Sequence, residues 1–236
     1  MKNILKQFFR KLKMEVSYYP HGDLRRRILL LNHHKINTII DVGANTGQYV
    51  REIRDLGFKG DIISFEPLSE AYSVLLKKSK FQKNWTVANI ALGSSNQEAV
   101  INVASNMASS SLLPMNEIHR QAEPDVINKG TQTIQVKTLD SIWGEYLERS
   151  VPNYYLKIDT QGYEKDVLKG AENSLSKING IQLEMSLEEL YEGEWQFDQM
   201  YQYIISKGFK LHSVEPQFYN NKNGQLLQMD GIFYRK

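Results

Sequence analysis

From residue 38 onward, short apolar runs alternate with stretches whose apolar residues return every three or four positions. That rhythm predicts strands followed by helices. T-I-I-D-V (38–42) and D-I-I-S-F (61–65) are short and almost continuously apolar, as strands covered on both faces must be. Between them, Tyr49 to Leu56 has helical spacing and stops at Gly57; after the second run, Ala71, Val74, Leu75 and Leu76 mark another helix. W-T-V-A-N-I-A-L (85–92) predicts a third strand. A β-α-β-α-β order of this kind builds a parallel sheet with helices on both faces.

The middle of the chain is less regular. E-A-V-I-N-V (98–103) and T-I-Q-V (133–136) are strand-like, but the intervening stretch is rich in Ser, Asn and Pro and has little periodicity. Such long loops inside a compact domain are functional or disordered. The alternation then resumes with a strand at Y-Y-L-K-I-D (154–159), a helical stretch from Lys165 to Ile178 broken near Gly170, and a strand at G-I-Q-L-E-M (180–185). A helix follows over Phe197–Ser206, ended by Gly208. F-K-L-H-S-V (209–214) and Leu226 to Tyr234 are joined by turn residues and no helix, so they pair antiparallel.

Two helices are expected ahead of the sheet. Gly22 to Lys35 turns Leu24, Ile28 and Leu31 inward, with His33 and His34 at its end. In the leader, Ile4, Leu5, Phe8, Phe9 and Leu12 share one helical face and Lys2, Lys6, Arg10 and Lys13 fall largely on the other. We expect two parts: a basic helical extension over 1–36 and one α/β domain over 37–236.

Composition narrows the class. The 236 residues are 41% hydrophobic and 24% charged, enough for a real core and outside the range of disordered chains. No cysteine is present, which excludes disulfides, thiolate zinc sites and a cysteine nucleophile, and suits a cytoplasmic location. The net charge of +2 is unevenly spread. Residues 1–36 hold nine Lys and Arg against Glu15 and Asp23, a surplus of +7 that leaves −5 on the rest. A basic amphipathic leader can lie on anionic lipid, making peripheral membrane contact through residues 1–14 one expectation and packing on protein the other. The acidic body argues against a large nucleic-acid footprint, DNA included.

The first strand runs into D-V-G-A-N-T-G (41–47), the place where open α/β sheets bind ligands. Its glycine spacing, G-x-x-x-G, departs from the G-x-G-x-x-G of dinucleotide sites, and no G-K-[ST] follows to make a P-loop. Glu66, in S-F-E-P, ends the second strand, where a carboxylate can accept from both hydroxyls of a ribose. A glycine turn with an acidic strand end describes an adenosine binder; a nicotinamide enzyme shares that much.

The chain resembles the class I S-adenosylmethionine-dependent methyltransferases, and among them the FkbM family. The resemblance runs from about Thr38 to Arg235. It rests on I-I-D-V-G-A-N-T-G-Q, S-F-E-P, N-I-A-L-G (89–93), A-S-S-S-L (108–112) and above all L-K-I-D-T-Q-G-Y-E (156–164) followed by V-L-K-G-A (167–171). It implies a Rossmann-like α/β fold, a seven-stranded, mostly parallel sheet with an antiparallel last strand. Gly43 and Gly47 would turn beneath the methionine part of S-adenosylmethionine, with Asp41 and Asn45 nearby. Glu66, followed by Pro67, would hold the ribose, and the third strand's end, with Asn89, Ala91 and Leu92, would border the adenine.

The implied reaction moves a methyl group to a hydroxyl, so a base near the sulfonium is needed. Asp159 and Glu184 stand at strand ends on the same rim, Glu164 opens the following helix, and His119 lies in the serine-rich segment; these are the catalytic candidates. Ser110, within Ser109–Ser111, is a candidate contact for the methionine carboxylate or the substrate, and Tyr191, Trp195 and Asp230 are candidate substrate contacts. Asp159, Glu184 and Asp230 could also supply oxygen ligands to a divalent cation, although no compact ligand motif demands one. The resemblance implies a saccharide acceptor, with a polyketide or other small molecule, or an RNA ribose, as alternatives. A non-catalytic cofactor-binding role and self-association both stay open.

Overall fold

The computed structural model describes residues 9, 12, 13, 19–148 and 152–235. The expected amphipathic leader helix and its membrane-facing residues fall largely outside the described residues. No helix among the described residues is long and apolar enough to cross a membrane.

Five strands of the main sheet are parallel: β1 (Thr38–Val42), β2 (Asp61–Phe65), β3 (Trp85–Ala88), β7 (Tyr154–Ile158) and β8 (Ile178–Ser186). The sheet is completed by β9 (Phe209–Tyr219) and β10 (Leu226–Arg235), and its order is β3-β2-β1-β7-β8-β10-β9. Strand β10 lies between β8 and β9 and runs antiparallel to both, as the short connection after β9 requires. A second sheet of three strands, β4-β6-β5, comprises β4 (Ala91–Leu92), β5 (Gln97–Ala104) and β6 (Asn128–Lys137).

Because side chains alternate across a strand, the main sheet feeds a core on each of its faces. On one face Ile40, Ile63, Leu156, Ile181 and Phe233 are buried beneath α5 (Leu139–Tyr146), α6 (Glu164–Lys169) and α7 (Phe197–Ser206). On the other, Ile39, Ile62, Tyr155, Ile232 and Tyr234 meet α1 (Gly22–His33), α2 (Gln48–Asp55) and Leu75 of α3 (Ser69–Ser79). Full burial of each such aliphatic side chain is worth about 1.5–3 kcal/mol, so the repeated pattern anchors the sheet. The second sheet packs Ile101, Ile134 and Val136 against Leu68 and Ala71.

Three local differences from the expected elements have physical causes. The third strand divides, because Asn89 turns its amide onto the carbonyls of Glu66 and Pro67 (2.8 and 2.9 Å) and Ala91–Leu92 pairs with β6 instead. Helix α5 was not expected; Thr138 caps it, its Oγ1 accepting from the Ser141 N–H at 3.1 Å, and Leu139, Ile142 and Trp143 face the core. The irregular middle is held in place: Ser111 bridges to Asn102, Met115 bridges to Tyr191, and α4 (Glu117–Ala122) lies between.

Helix α1 shares the core of the domain. Leu24, Arg27 and Leu31 form its buried stripe. A charge counted with the basic leader therefore lies inside, with consequences for the site.

Candidate active site

The carboxyl ends of β1, β2, β7 and β8 open into a cavity of about 560 Å³. This is within the usual range for a small-molecule site. One half is walled by Gly43–Asn45, Phe65–Leu68, Ala91, Leu92 and Ser110; the other by Asp159, Gln182, Glu184, Gln217 and Asp230, with α1 closing it through Leu24 and Arg27.

The first half is shaped by backbone. Gly43 has φ +77°, and a Cβ there would lie 1.9 Å from the Asp159 carbonyl oxygen, so only glycine lets these two loops meet. Asn45 is also left-handed, at φ +48°, and its N–H donates to the Glu66 carboxylate at 2.7 Å. The other Glu66 oxygen accepts from the Leu68 N–H at 2.8 Å. One carboxylate thus clamps the loops after β1 and β2. Burial raises its pKa to about 7, against the opposing pull of those two N–H groups.

At the cavity floor, Lys157 on β7 reaches three oxygens: Asp41 Oδ1 and Asp159 Oδ2, each at 3.3 Å, and the Gly43 carbonyl at 3.4 Å. Burial opposes its charge, but Asp159, Asp41 and Asp230 outweigh that and hold its pKa above the ordinary lysine range. Asp41 is fully buried and also accepts from Ser64 Oγ at 3.0 Å.

The second half is a network of carboxyl groups and amides. Gln161 Nε2 donates to Asp159 Oδ1 (2.9 Å) and Glu184 Oε2 (3.0 Å), and Gln228 Nε2 donates to the same Glu184 oxygen at 3.1 Å. Asp230 Oδ2 accepts from Gln182 (2.8 Å) and Gln217 (3.1 Å). Burial, followed by the charge of Asp159, lifts Glu184 well above the carboxylate range and Asp230 to about 6. Asp159 is the open member, its side chain 41% exposed. Arg27 closes the α1 side, pairing with Glu52 at 2.5 Å and with Glu215.

Comparison with known proteins decides the family. A profile of the Methyltransferase FkbM domain matches residues 41–211. The chain belongs to the FkbM methyltransferase family. It is an S-adenosylmethionine-dependent enzyme of the class I fold. The 2-O-methyltransferase NoeI of Sinorhizobium fredii is 25% identical over 179 residues, covering 72% of each chain. Among solved structures, Methyltransferase FkbM from Methylobacillus flagellatus is similar at TM-score 0.48 and 17% identity; the match covers 83% of this chain but 43% of that one. TehB from Haemophilus influenzae is similar at TM-score 0.48 and 10% identity, over 97% of this chain and 66% of that one.

In this FkbM domain the cavity is lined by Gly43, Asn45, Glu66, Pro67, Ala91, Leu92, Ser110, Asp159, Glu184 and Asp230. Seven other residues expected at the site lie away from its lining. Asp41 is the counter-charge beneath Lys157. Gly47 begins α2 at φ +84°, and a Cβ there would meet the Trp85 ring at 2.8 Å. Asn89 fastens the loop after β2. Glu164 folds back on its own turn, accepting from the Thr160 N–H (2.7 Å) and hydroxyl (3.0 Å), and burial raises it to about 7.

The remaining three correct the expected roles. His119 is buried between Tyr191 and Phe218, 3.6 Å from Glu123, and burial lowers its pKa; it is no base over the cofactor half. Tyr191 is fully buried, so no sugar ring can stack on it. Trp195 packs on the core beside Tyr203, 5.1 Å between ring centroids. Among the described residues, no group of three His, Asp or Glu has metal-holding geometry; Asp159, Glu184 and Asp230, for which a cation was one possibility and not an expectation, accept from the Gln161 and Gln182 amides.

The FkbM site also contains residues that sequence reasoning did not assign to it: Lys157, Gln161, Gln182 and Arg27. Lys157 on β7 and Asp159 just past its end are two apart and point to the same side, a signal present in K-I-D. Arg27 also had an available signal: it stands three residues after Leu24 and four before Leu31, beside the apolar stripe of α1, whereas its neighbours Arg25 and Arg26 are exposed.

Proposed function

We propose that this methyltransferase modifies a carbohydrate hydroxyl, with Asp159 accepting the hydroxyl proton. The observation that carries the reading is the two-part cavity: an apolar half ending on the Glu66 carboxylate, continuous with a half lined by amides and carboxyl groups. The first half suits S-adenosylmethionine. Glu66 keeps oxygen lone pairs for ribose hydroxyls, Ala91, Leu92 and Pro67 offer apolar surface for adenine, and Gly43 admits backbone contact. When bound, that cofactor supplies an electrophilic methyl group.

The second half suits a polyol. Gln217 at the cavity wall presents an amide, and Glu184 and Asp230 present carboxyls that burial pushes toward the protonated form. Such groups can donate to and accept from adjacent sugar hydroxyls. Asp159 lies between the halves and is the exposed carboxylate of the set, so an acceptor hydroxyl can reach it. A base placed there contributes roughly 10²–10⁴-fold, and orientation of the hydroxyl adds to it. The relative named as a 2-O-methyltransferase supports oxygen as the acceptor atom. A leader that lies on anionic lipid, on the cytoplasmic face, would suit a lipid-linked saccharide precursor.

The test compares the mass of surface glycans from cells with and without the gene. A loss equal to one CH₂ group is expected, restored by the wild-type enzyme and not by Asp159→Ala. Unchanged glycans would end the carbohydrate assignment.

A further inference from the structure

We infer that Gln161 is a positioning residue: its single amide spaces and orients the Asp159 and Glu184 carboxyls toward the acceptor. This rests on the reading of those two groups as acceptor-facing, and uses the bridge that the Gln161 amide makes between them.

The backbone at Gln161 is left-handed, φ +57°, an uncommon state for glutamine, and Gly162 follows at φ +91°. The turn is pinned by Ser111, whose Oγ donates to the Gln161 carbonyl at 2.6 Å. From it the Gln161 side chain meets both carboxyls, at 2.9 and 3.0 Å from Nε2. Its Oε1 accepts from the Tyr191 hydroxyl at 3.0 Å. Chemistry sets the amide's direction: turned over, Oε1 would face two carboxyl oxygens and lose the phenol donor. Tyr191 cannot drift, because Gly162 lies against it; a Cβ on that glycine would be 2.7 Å from the Tyr191 Cβ.

Several charged or titratable groups bear on Glu184. Asp159 and Lys157 approach from β7 and its end, Glu164 from α6, Asp230 from β10, and Tyr191 from the loop after β8. Gln161 and Gln228 give it hydrogen bonds. An N–H donor favours the ionised form of the carboxyl that accepts it. Removing the Gln161 donor therefore moves the Glu184 titration upward, while a leucine preserves most of the side-chain volume.

The experiment is a carboxyl ¹³C NMR titration of full-length protein labelled in its Asp and Glu side chains, with Glu184→Gln assigning the Glu184 signal. In Gln161→Leu the Glu184 midpoint is expected to rise by about one pH unit, a tenfold change in its proton affinity. Tyr191→Phe keeps the ring and removes the hydroxyl that turns the amide, so a smaller rise is expected; it decides alone should Gln161→Leu not fold. Midpoints equal to wild type in the folded variants would overturn the inference and leave Gln161 a loop residue. No acceptor is added, so failure of the carbohydrate assignment and failure of this inference are told apart.

Discussion

Lys157 on β7 stands directly opposite Asp41 on β1 in the parallel register, and its ammonium lies 3.3 Å from the Asp41 carboxylate. Both side chains are buried. Removing one partner of such a pair leaves a buried charge uncompensated, which costs about 3–5 kcal/mol. Lys157→Met should lose stability of that order in urea unfolding. Adding Asp41→Asn should recover part of the loss, since contacting residues couple by about 0.5–3 kcal/mol. Strict additivity of the two changes would contradict the pairing.

Glycine at 43 is required by the same juxtaposition of β1 and β7. Gly43→Ala places a Cβ against the Asp159 carbonyl at a backbone angle that already costs a non-glycine residue about 1–3 kcal/mol. Gly57, at φ +93°, has open space where a Cβ would stand, with no atom within 4 Å, and is the control. We expect Gly57→Ala to cost only the backbone strain. Gly43→Ala should cost distinctly more, and S-adenosylmethionine binding measured by calorimetry should fall with it.

Stability should carry a pH signature from Glu164. Its pKa is raised from 4.5 to about 7 in the folded chain, so its contribution is complete below pH 4.5 and is lost as the pH rises through 7. A shift of that size is worth up to about 3 kcal/mol. Glu66 and Asp230 act in the same direction, whereas Asp140, whose pKa is lowered, acts oppositely. Comparison with Glu164→Gln isolates one group. Between pH 5 and 8 the wild type should lose more unfolding free energy than the variant; parallel curves would refute the assignment.

Asp159→Ala is expected to separate chemistry from cofactor binding. Methyl transfer to the proposed carbohydrate acceptor should drop roughly 10²–10⁴-fold, the usual contribution of a placed base. Affinity for S-adenosylmethionine should stay within a few-fold, because Glu66, Asn45 and Leu92 are untouched. A proportional loss of both would make Asp159 a structural residue.

Much of the fold was legible because its signals are local. T-I-I-D-V and D-I-I-S-F read as buried strands from five residues each, and both occur where expected. The terminal antiparallel pair was readable from the absence of a helix between residues 214 and 226, although its first strand runs on to Tyr219. Gly43 and Glu66 were readable as a turn and an acidic strand end, and both line the cavity. Helix α5 had an available signal, since Leu139, Ile142 and Trp143 have helical spacing behind Thr138.

The rest depended on which distant segments meet. Helical phase sets Arg27 beside Leu24 and Leu31, but its partner is decided only when α1 docks and brings it to Glu215, 188 positions later. His119 and Tyr191 have the right chemistry for a site, but their burial against one another decides that they support it. Periodicity and turn residues settled the order of strands and helices, because those preferences act over a few neighbouring residues. The exposure and partners of the polar groups were settled by packing, because desolvation and charge depend on neighbours that only the folded chain assembles.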